Sequence, residues 1–178
     1  RACQTFVDRH DAVRTVFMTH TNGRPYQRVR PNVTADFLAI DARDWPREQL
    51  MQRLSQEDTI AWDLANDLGV KFRLYTVADE EHVFHIIFSH LVMDGGSCWV
   101  MLDELRKLYQ AEAENVPANL PPTHWSGIDH MKRSHVQLRG AEGDRLWNYW
   151  REELAGDISD NVAVEDSLPI RVISKELI

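Results

Sequence analysis

The chain has 178 residues, 43% of them hydrophobic, and a formal net charge of −8 at pH 7. This length fits one domain or one lobe of a larger protein, and the hydrophobic fraction is sufficient for a buried core. The acidic balance argues against a general nucleic-acid binder, and no apolar run approaches the ~18 residues that a membrane span requires.

The first forty residues predict a helix followed by three strands. Residues 1–10 are typical of the end of a helix, and the β-branched residues of "AVRTVFM" are spaced as in a strand. Asn22 and Gly23 form the strongest hairpin signal in the chain, with "YQRV" as the return strand. Ala35–Asp41 is predicted to be another short strand.

A helix is predicted next. Asp44 is a candidate N-cap, and Pro46 suits the first helical turn. The helix continues through "REQLMQRLSQEDTIA", where Leu50, Leu54 and Met51 give an apolar stripe.

A hairpin of two longer strands follows. Val70–Ala78 alternates between apolar and polar residues, "DEE" turns the chain, and His82–His90 is the return strand. The return strand is apolar on both faces, with Phe84 and His90 on one face and Ile87 on the other. Such a strand is usually central in its sheet and covered on both sides.

Three helices are predicted after this hairpin. Ser97 is a candidate N-cap for a helix that reaches about Ala113. Two further helices are expected at about Ser126–Leu138 and Glu142–Leu154. Together with the strands, they predict an α+β architecture in which helices cover a mixed or antiparallel sheet.

The chain ends and the two cysteines predict how much of the domain this sequence contains and in which compartment the protein lies. The chain does not begin with Met, and its last residues, "RVISKELI", are typical of a strand with no stop signal behind it. We therefore expect residues 1–178 to be one lobe, truncated at both ends. Cys3 and Cys98 lie far apart and form no disulfide-framework or metal-binding pattern. Free thiols are typical of a reducing compartment, so we expect a cytoplasmic protein.

The segment "FSHLVMDGGS" is the strongest candidate for a functional site. His90 ends the apolar strand, where partial desolvation favours a neutral imidazole that can accept a proton. Asp94 follows across a turn, and Gly95 and Gly96 leave room for a close approach. Free N–H groups at the start of the helix, at Ser97, can stabilise developing negative charge.

Two other interpretations of this segment stay open. A histidine at a strand end is often structural, and Asp-Gly-Gly is a common turn that leads into a helix. A metal site built from His82, His85, His90 and Asp94 is disfavoured, because His85 points to the opposite face of the strand from His82 and His90. We therefore expect no metal.

Five motifs together resemble one protein family. "SHLVMDGGS" resembles the His-His-x-x-x-Asp-Gly motif of nonribosomal peptide synthetase condensation domains, which belong to the chloramphenicol-acetyltransferase-like superfamily. "RHDAVRTVF" (Arg9–Phe17) is similar to the family's upstream signature, and the residues from "WDLAND" to "FSH" are similar to its hairpin and active-site strand. "PPTHWSGIDHMKR" (Pro121–Arg133) and "LWNYWREELAG" (Leu146–Gly156) resemble two later motifs. The five matches stand in the family's order and cover nearly the whole chain.

The resemblance implies a fold, a reaction and partners. The fold is the N-terminal chloramphenicol-acetyltransferase-like lobe of a V-shaped domain, whose second lobe completes a tunnel. The reaction is acyl transfer from an acyl or peptidyl thioester to an amine or hydroxyl acceptor. Phosphopantetheine arms of carrier proteins present the substrates, without a bound cofactor, and neighbouring synthetase domains lie alongside.

The resemblance also implies roles for individual residues. His90 is the functional histidine, which takes the proton of the acceptor or holds the tetrahedral intermediate in place. Asp94 is a structural carboxylate that pairs with an arginine, and Arg14 is preferred over Arg9 as its partner. Gly95 allows the backbone to approach the thioester.

The sequence departs from the family pattern at three positions. Ser89 stands where the family has its first histidine, and we expect it to support the site structurally. Gly127 and Trp125 stand where the fourth motif has aspartate and tyrosine. These departures favour an unusual donor or acceptor, ester formation or macrocyclisation. They also keep open a non-catalytic, carrier-protein-binding or scaffolding domain, and a free-standing acyltransferase that acts on CoA thioesters.

Overall fold

The computed structural model describes residues 1–123 and 126–155. It divides into two units, residues 1–130 and residues 131–178. In chain order the elements are α1 (Ala2–Arg9), a single 3₁₀ turn (Ala12–Arg14), β1 (Thr15–Thr19), β2 (Pro25–Val29), β3 (Asp36–Asp41), α2 (Arg47–Asp58), β4 (Val70–Ala78), β5 (Glu81–Phe88), α3 (Gly95–Glu114), α4 (Gly127–Arg139) and α5 (Ala141–Glu153).

Two small sheets form the β structure of the first unit. β1 and β2 make the predicted hairpin, and Gly23 takes a φ of 81° that only glycine adopts readily. β3, β4 and β5 make a three-stranded sheet in which β3 is parallel to β4, and β4 is antiparallel to β5. The mixed sheet and its helices confirm the predicted α+β class.

Within the described strands, β5 does not take the central position that was predicted for it. Among the described strands the order is β3-β4-β5, so β4 is central and β5 lies at an edge. β4 is buried on both faces, since Phe72 and Tyr75 have no exposed surface and Arg73 is also buried. On β5, by contrast, Phe84 is 43% exposed. An apolar run therefore did not distinguish a central strand from an edge strand here.

The hydrophobic core of the first unit lies between the three-stranded sheet and the helices α1 and α3. Complete burial of each large apolar side chain contributes about 1.5–3 kcal/mol to folding. The buried residues of this core are Phe6, Val7, Val13, Leu68, Val70, Phe72, Met93, Met101, Leu105 and Leu108.

Two helix starts differ from the predictions. α2 begins directly after Pro46, and no side chain, including that of Asp44, caps it. The apolar stripe of α2 is narrower than predicted because Met51 is 55% exposed. The helix ends at Asp58, before the end of the predicted segment. α3 begins three residues earlier than predicted, with Asp94 rather than Ser97 as its N-cap.

The described part of the second unit consists of the end of α4 and all of α5. Both helices lie within one or two residues of their predicted bounds. Gly143 is required there, because a Cβ atom at this position would lie 1.9 Å from the carbonyl oxygen of Leu138. The predicted C-terminal strand lies outside the described residues. Across those described residues, each helix is too short or too polar to cross a bilayer.

Candidate functional site

The candidate site is a tight turn between β5 and α3. The backbone N–H of Ser89 donates to the carbonyl of Gly69 at 3.0 Å, which ties the turn to the start of β4. The carbonyl of Ser89 accepts from Val92 at 3.1 Å and from Met93 at 3.2 Å. Its hydroxyl accepts from Leu91 N at 3.4 Å. Ser89 is thus a buried residue whose backbone and hydroxyl hold the turn together.

His90 lies at the tip of this turn. The prediction that it ends the strand in a partly desolvated position was wrong, because β5 stops at Phe88 and His90 is exposed. Ser89 and Met93 are both buried, and His90 and Leu91 between them are exposed, whereas Val92 packs against the core. The imidazole makes no hydrogen bond to another described residue, which leaves both ring nitrogens available to a ligand.

Asp94 follows the turn and caps α3. Its Oδ1 accepts from the backbone N of Ser97 at 2.8 Å and from the Ser97 hydroxyl at 2.7 Å. The backbone N–H of Ser97, followed by its hydroxyl, lowers the pKa of Asp94, and the charge of nearby His90 acts in the same direction. The carboxylate is therefore ionised at neutral pH and fixes the start of the helix.

The structure does not pair Asp94 with either predicted arginine. The guanidinium of Arg14 instead donates to the carbonyls of Val7, at 3.0 Å, and of Arg30, at 2.8 Å. It also contacts the carboxylate of Asp11 at 2.5 Å. The last carbonyls of a helix lack intrahelical partners, so buried Arg14 satisfies the end of α1 and joins it to the end of β2.

Arg9 belongs to a different ion-pair cluster. Its Nε and Nη2 atoms each lie 3.2 Å from a carboxylate oxygen of Glu104, and Nη2 also donates to the carbonyl of Pro121 at 2.9 Å. His10 Nε2 lies 2.8 Å from the same carboxylate. Burial raises the pKa of Glu104, but the hydrogen bonds from Arg9 and His10 outweigh it and leave the pKa below its ordinary value. This cluster fastens α1 to α3.

Gly95 and Gly96 form the first turn of α3. A Cβ atom at Gly95 would meet nothing within 4 Å, and one at Gly96 would make only an ordinary contact with Asp94. Neither glycine has a positive φ. The space over Gly95 at the N-terminus of α3 is open, and the Asp94 carboxylate occupies the N–H of Ser97 but not those of Gly95 and Gly96.

The histidines proposed as alternative metal ligands are not brought together. His85 lies 2.9 Å from Asp58 and 3.4 Å from Glu57, at the side of α2. Within residues 1–123 and 126–155, no group of three or more histidine, cysteine or acidic side chains has the arrangement of a metal site.

A buried polar cluster beneath α2 was missed by the sequence analysis. The carboxylate of Glu57 is 3% exposed and accepts from the Tyr75 hydroxyl at 2.8 Å. Arg53 lies 3.0 Å from it, and Arg73 lies 3.6 Å from it, at ion-pair rather than hydrogen-bond geometry. Burial and the hydrogen bond to Glu57 raise the pKa of Tyr75. A charged residue on a polar helix gives no sequence signal of such burial.

Gly69 is a second residue that the sequence analysis missed. It is buried at the start of β4, and its carbonyl holds Ser89. The only sequence signal is an isolated glycine at the beginning of an apolar strand, which can mark a close approach of two backbones.

Comparison with known proteins gives a consistent result. The family model described as "Condensation domain" matches residues 1–169. The beauvericin nonribosomal cyclodepsipeptide synthetase of Beauveria bassiana is 34% identical over 149 residues, which cover 83% of this chain and 5% of that protein.

Two solved structures share the fold. The first condensation domain of the calcium-dependent antibiotic synthetase has a TM-score of 0.72 at 20% identity, over 87% of this chain and 38% of that one. The X-domain in its complex with OxyB from teicoplanin biosynthesis has a TM-score of 0.73 at 22% identity, over 94% of this chain and 36% of that one. The chain therefore spans a small part of the synthetase it matches and less than half of each solved chain.

Proposed function

The chain belongs to the condensation-domain family, and from this membership we propose that it is the N-terminal lobe of a condensation domain. In this proposal the complete domain transfers an acyl or peptidyl group from a carrier-protein thioester to an amine or hydroxyl acceptor. The observation that carries the proposal is the exposed imidazole of His90, which lies beside the capped N-terminus of α3 in a chain of this family.

His90 is the proposed proton acceptor. As the acceptor nitrogen or oxygen bonds to the thioester carbonyl carbon, its proton passes to an imidazole nitrogen. Collapse of the tetrahedral intermediate then breaks the carbon–sulfur bond, and the proton returns to the leaving sulfur. The open approach over Gly95 and the first-turn N–H groups of α3 favour the negative charge that develops on the carbonyl oxygen. Asp94 and Ser89 act by holding the turn in place.

The proposed partners follow from this reaction. Carrier proteins present both substrates on phosphopantetheine arms, a second lobe of the same domain supplies the other wall of the site, and synthetase domains lie alongside. No metal or bound cofactor takes part in the proposed transfer, which uses only acid–base chemistry.

The name of the beauvericin relative specifies a cyclodepsipeptide, which contains both amide and ester bonds. This supports an acceptor that is either an amine or a hydroxyl. Free Cys3 and Cys98 are consistent with a cytoplasmic location.

The test uses the synthetase that contains this chain. A donor carrier is loaded with an acyl group and an acceptor carrier with an amino or hydroxy acid, and the product is measured by mass spectrometry. His90→Ala is expected to lower the rate by ~10²–10⁴-fold, the usual contribution of a general base. The matched control is His82→Ala, which removes another exposed histidine, at the opposite end of β5, and should leave the rate unchanged.

Two outcomes would count against the proposal. Parent-like transfer by the His90→Ala protein would remove His90 from the chemistry. Turnover of an acyl-CoA donor by the parent, without turnover of the acyl-carrier donor, would favour a free-standing acyltransferase instead.

A non-catalytic role is the second candidate. The X-domain from teicoplanin biosynthesis, which has a similar fold, forms a complex with OxyB. Ser89, which replaces the first motif histidine, is consistent with such a role. Under this alternative the parent protein transfers no acyl group and both histidine variants behave alike, while removal of the domain disrupts assembly with its neighbour.

A further inference from the structure

Gly69 links the Arg9–Phe17 motif to the turn that carries His90. Its backbone N–H donates to the carbonyl of Val13 at 2.9 Å, in the segment that follows α1. Its carbonyl accepts from Ser89 N at 3.0 Å, at the base of the turn that carries His90. Gly69 is buried, so both hydrogen bonds are shielded from water.

The absence of a side chain at Gly69 provides the space for Val92. A Cβ atom at Gly69 would lie 2.2 Å from Val92 Cγ2, 3.3 Å from Cβ and 3.4 Å from Cγ1. Gly69 does not have a positive φ, so space rather than backbone conformation accounts for the glycine. The β-branched side chain of Val92 is stiff about χ1 and has methyl groups on two sides, so rotation alone would not relieve the overlap.

We propose that Gly69 and Val92 are positioning residues of the acyl-transfer site, and that their contact sets the position of the His90 imidazole. Val92 follows His90 by two residues in the same tight turn, and Ser89 ties the turn to Gly69 itself. Any side chain at Gly69 pushes Val92, and with it the turn, outward by more than 1 Å. A misplacement of about 1 Å can cost an enzyme ~10²-fold in rate.

This inference rests on the proposed function, and its first measurement is independent of activity. The ring signals of the histidines are recorded by NMR on the 178-residue chain. In Gly69→Ala the His90 signals should shift, while those of His82, at the other end of β5, should not. The control Gly140→Ala adds a Cβ that makes only ordinary contacts of 3.7 Å or more, and should move neither histidine.

The second measurement is acyl transfer by the parent synthetase. Gly69→Ala should lower kcat by ~10²-fold with little change in KM for the loaded donor carrier. Gly69→Ala combined with Val92→Ala should recover at least tenfold of this loss, because the second substitution removes the methyl group at 2.2 Å. A general loss of stability would also lower the apparent kcat, by reducing the folded fraction, so each rate is divided by the folded fraction measured by urea unfolding before the variants are compared.

The possible results separate this proposal from the function on which it rests. Unshifted His90 signals in Gly69→Ala, or parent-like kcat, overturn the positioning role. Failure of the double variant to recover kcat does the same. If Gly69→Ala does not fold, Val92→Ala by itself must shift the His90 signals, and an unshifted spectrum overturns the proposal. Parent-like transfer by His90→Ala instead removes the proposed function.

Discussion

The ion-pair cluster of Arg9, His10 and Glu104, which acts as a clamp between α1 and α3, gives a quantitative prediction for Glu104→Ala. This substitution removes two contacts of 3.2 Å with Arg9, whose side chain is 22% exposed in the parent, and one contact of 2.8 Å with His10. Loss of one partner of a buried pair costs about 3–5 kcal/mol. Arg9 keeps its bond to the Pro121 carbonyl, so we expect a loss of about 3 kcal/mol in the free energy of unfolding.

Urea unfolding of the chain measures this loss. For a slope of about 2 kcal/mol/M, the midpoint should fall by about 1.5 M. The matched control is Asp103→Ala, which removes the neighbouring carboxylate on α3, paired with Lys107 and 52% exposed. It should cost less than about 1 kcal/mol, as exposed ion pairs do. Equal losses for the two variants, or a loss below about 1 kcal/mol for Glu104→Ala, would refute the reasoning.

The same clamp has a defined pH dependence. The pKa of Glu104 is lower in the folded chain than its ordinary value. Its contribution is therefore complete above the ordinary carboxyl pKa and is lost as the pH falls through the folded value. The difference in free energy of unfolding between the parent and Glu104→Ala should accordingly shrink in acid, and a difference that grows in acid would contradict the sign.

Variants at three further residues test other contacts by the same unfolding assay. Asp94→Ala removes the N-cap of α3 and should cost ~1 kcal/mol, whereas Asp94→Asn should retain most of the cap; equal losses would contradict the capping role. Arg14→Lys cannot serve all the carbonyls bound by the guanidinium and should cost about 2–3 kcal/mol; no measurable loss would contradict its buried role. Tyr75→Phe should cost ~1–2 kcal/mol by leaving Glu57 short of a donor, and a stabilised variant would contradict this.

Local patterns predicted most of the secondary structure. The Asn22-Gly23 hairpin, the alternation of β4 and the helical spacing of α3 each depend on residues close in sequence. The sheet order could not be predicted in this way. The parallel pairing of β3 with β4 joins distant segments, and an apolar strand such as β5 is compatible with more than one place in a sheet.

The motif identified the candidate turn but not its contacts. Arg14, the predicted partner of Asp94, instead donates to the free carbonyls at the end of α1, which lie closer to it along the chain. Asp94 accepts its hydrogen bond from Ser97, three residues away. Glu57 and Gly69 were missed because burial of a carboxylate, or a close approach of two chains, depends on which segments fold against each other.

Among the described strands β5 lies at an edge of its sheet, and this position has a practical consequence for handling the chain. An edge strand presents a row of N–H and C=O groups that can template pairing with a second molecule. The run Val83–Phe88 is rich in β-branched and aromatic residues and carries no acidic, lysine or arginine side chain, which is a composition prone to intermolecular β-assembly. We therefore expect concentrated preparations to self-associate through this strand. A lysine introduced at a solvent-facing position of the run should act as a gatekeeper and improve the yield of monomer.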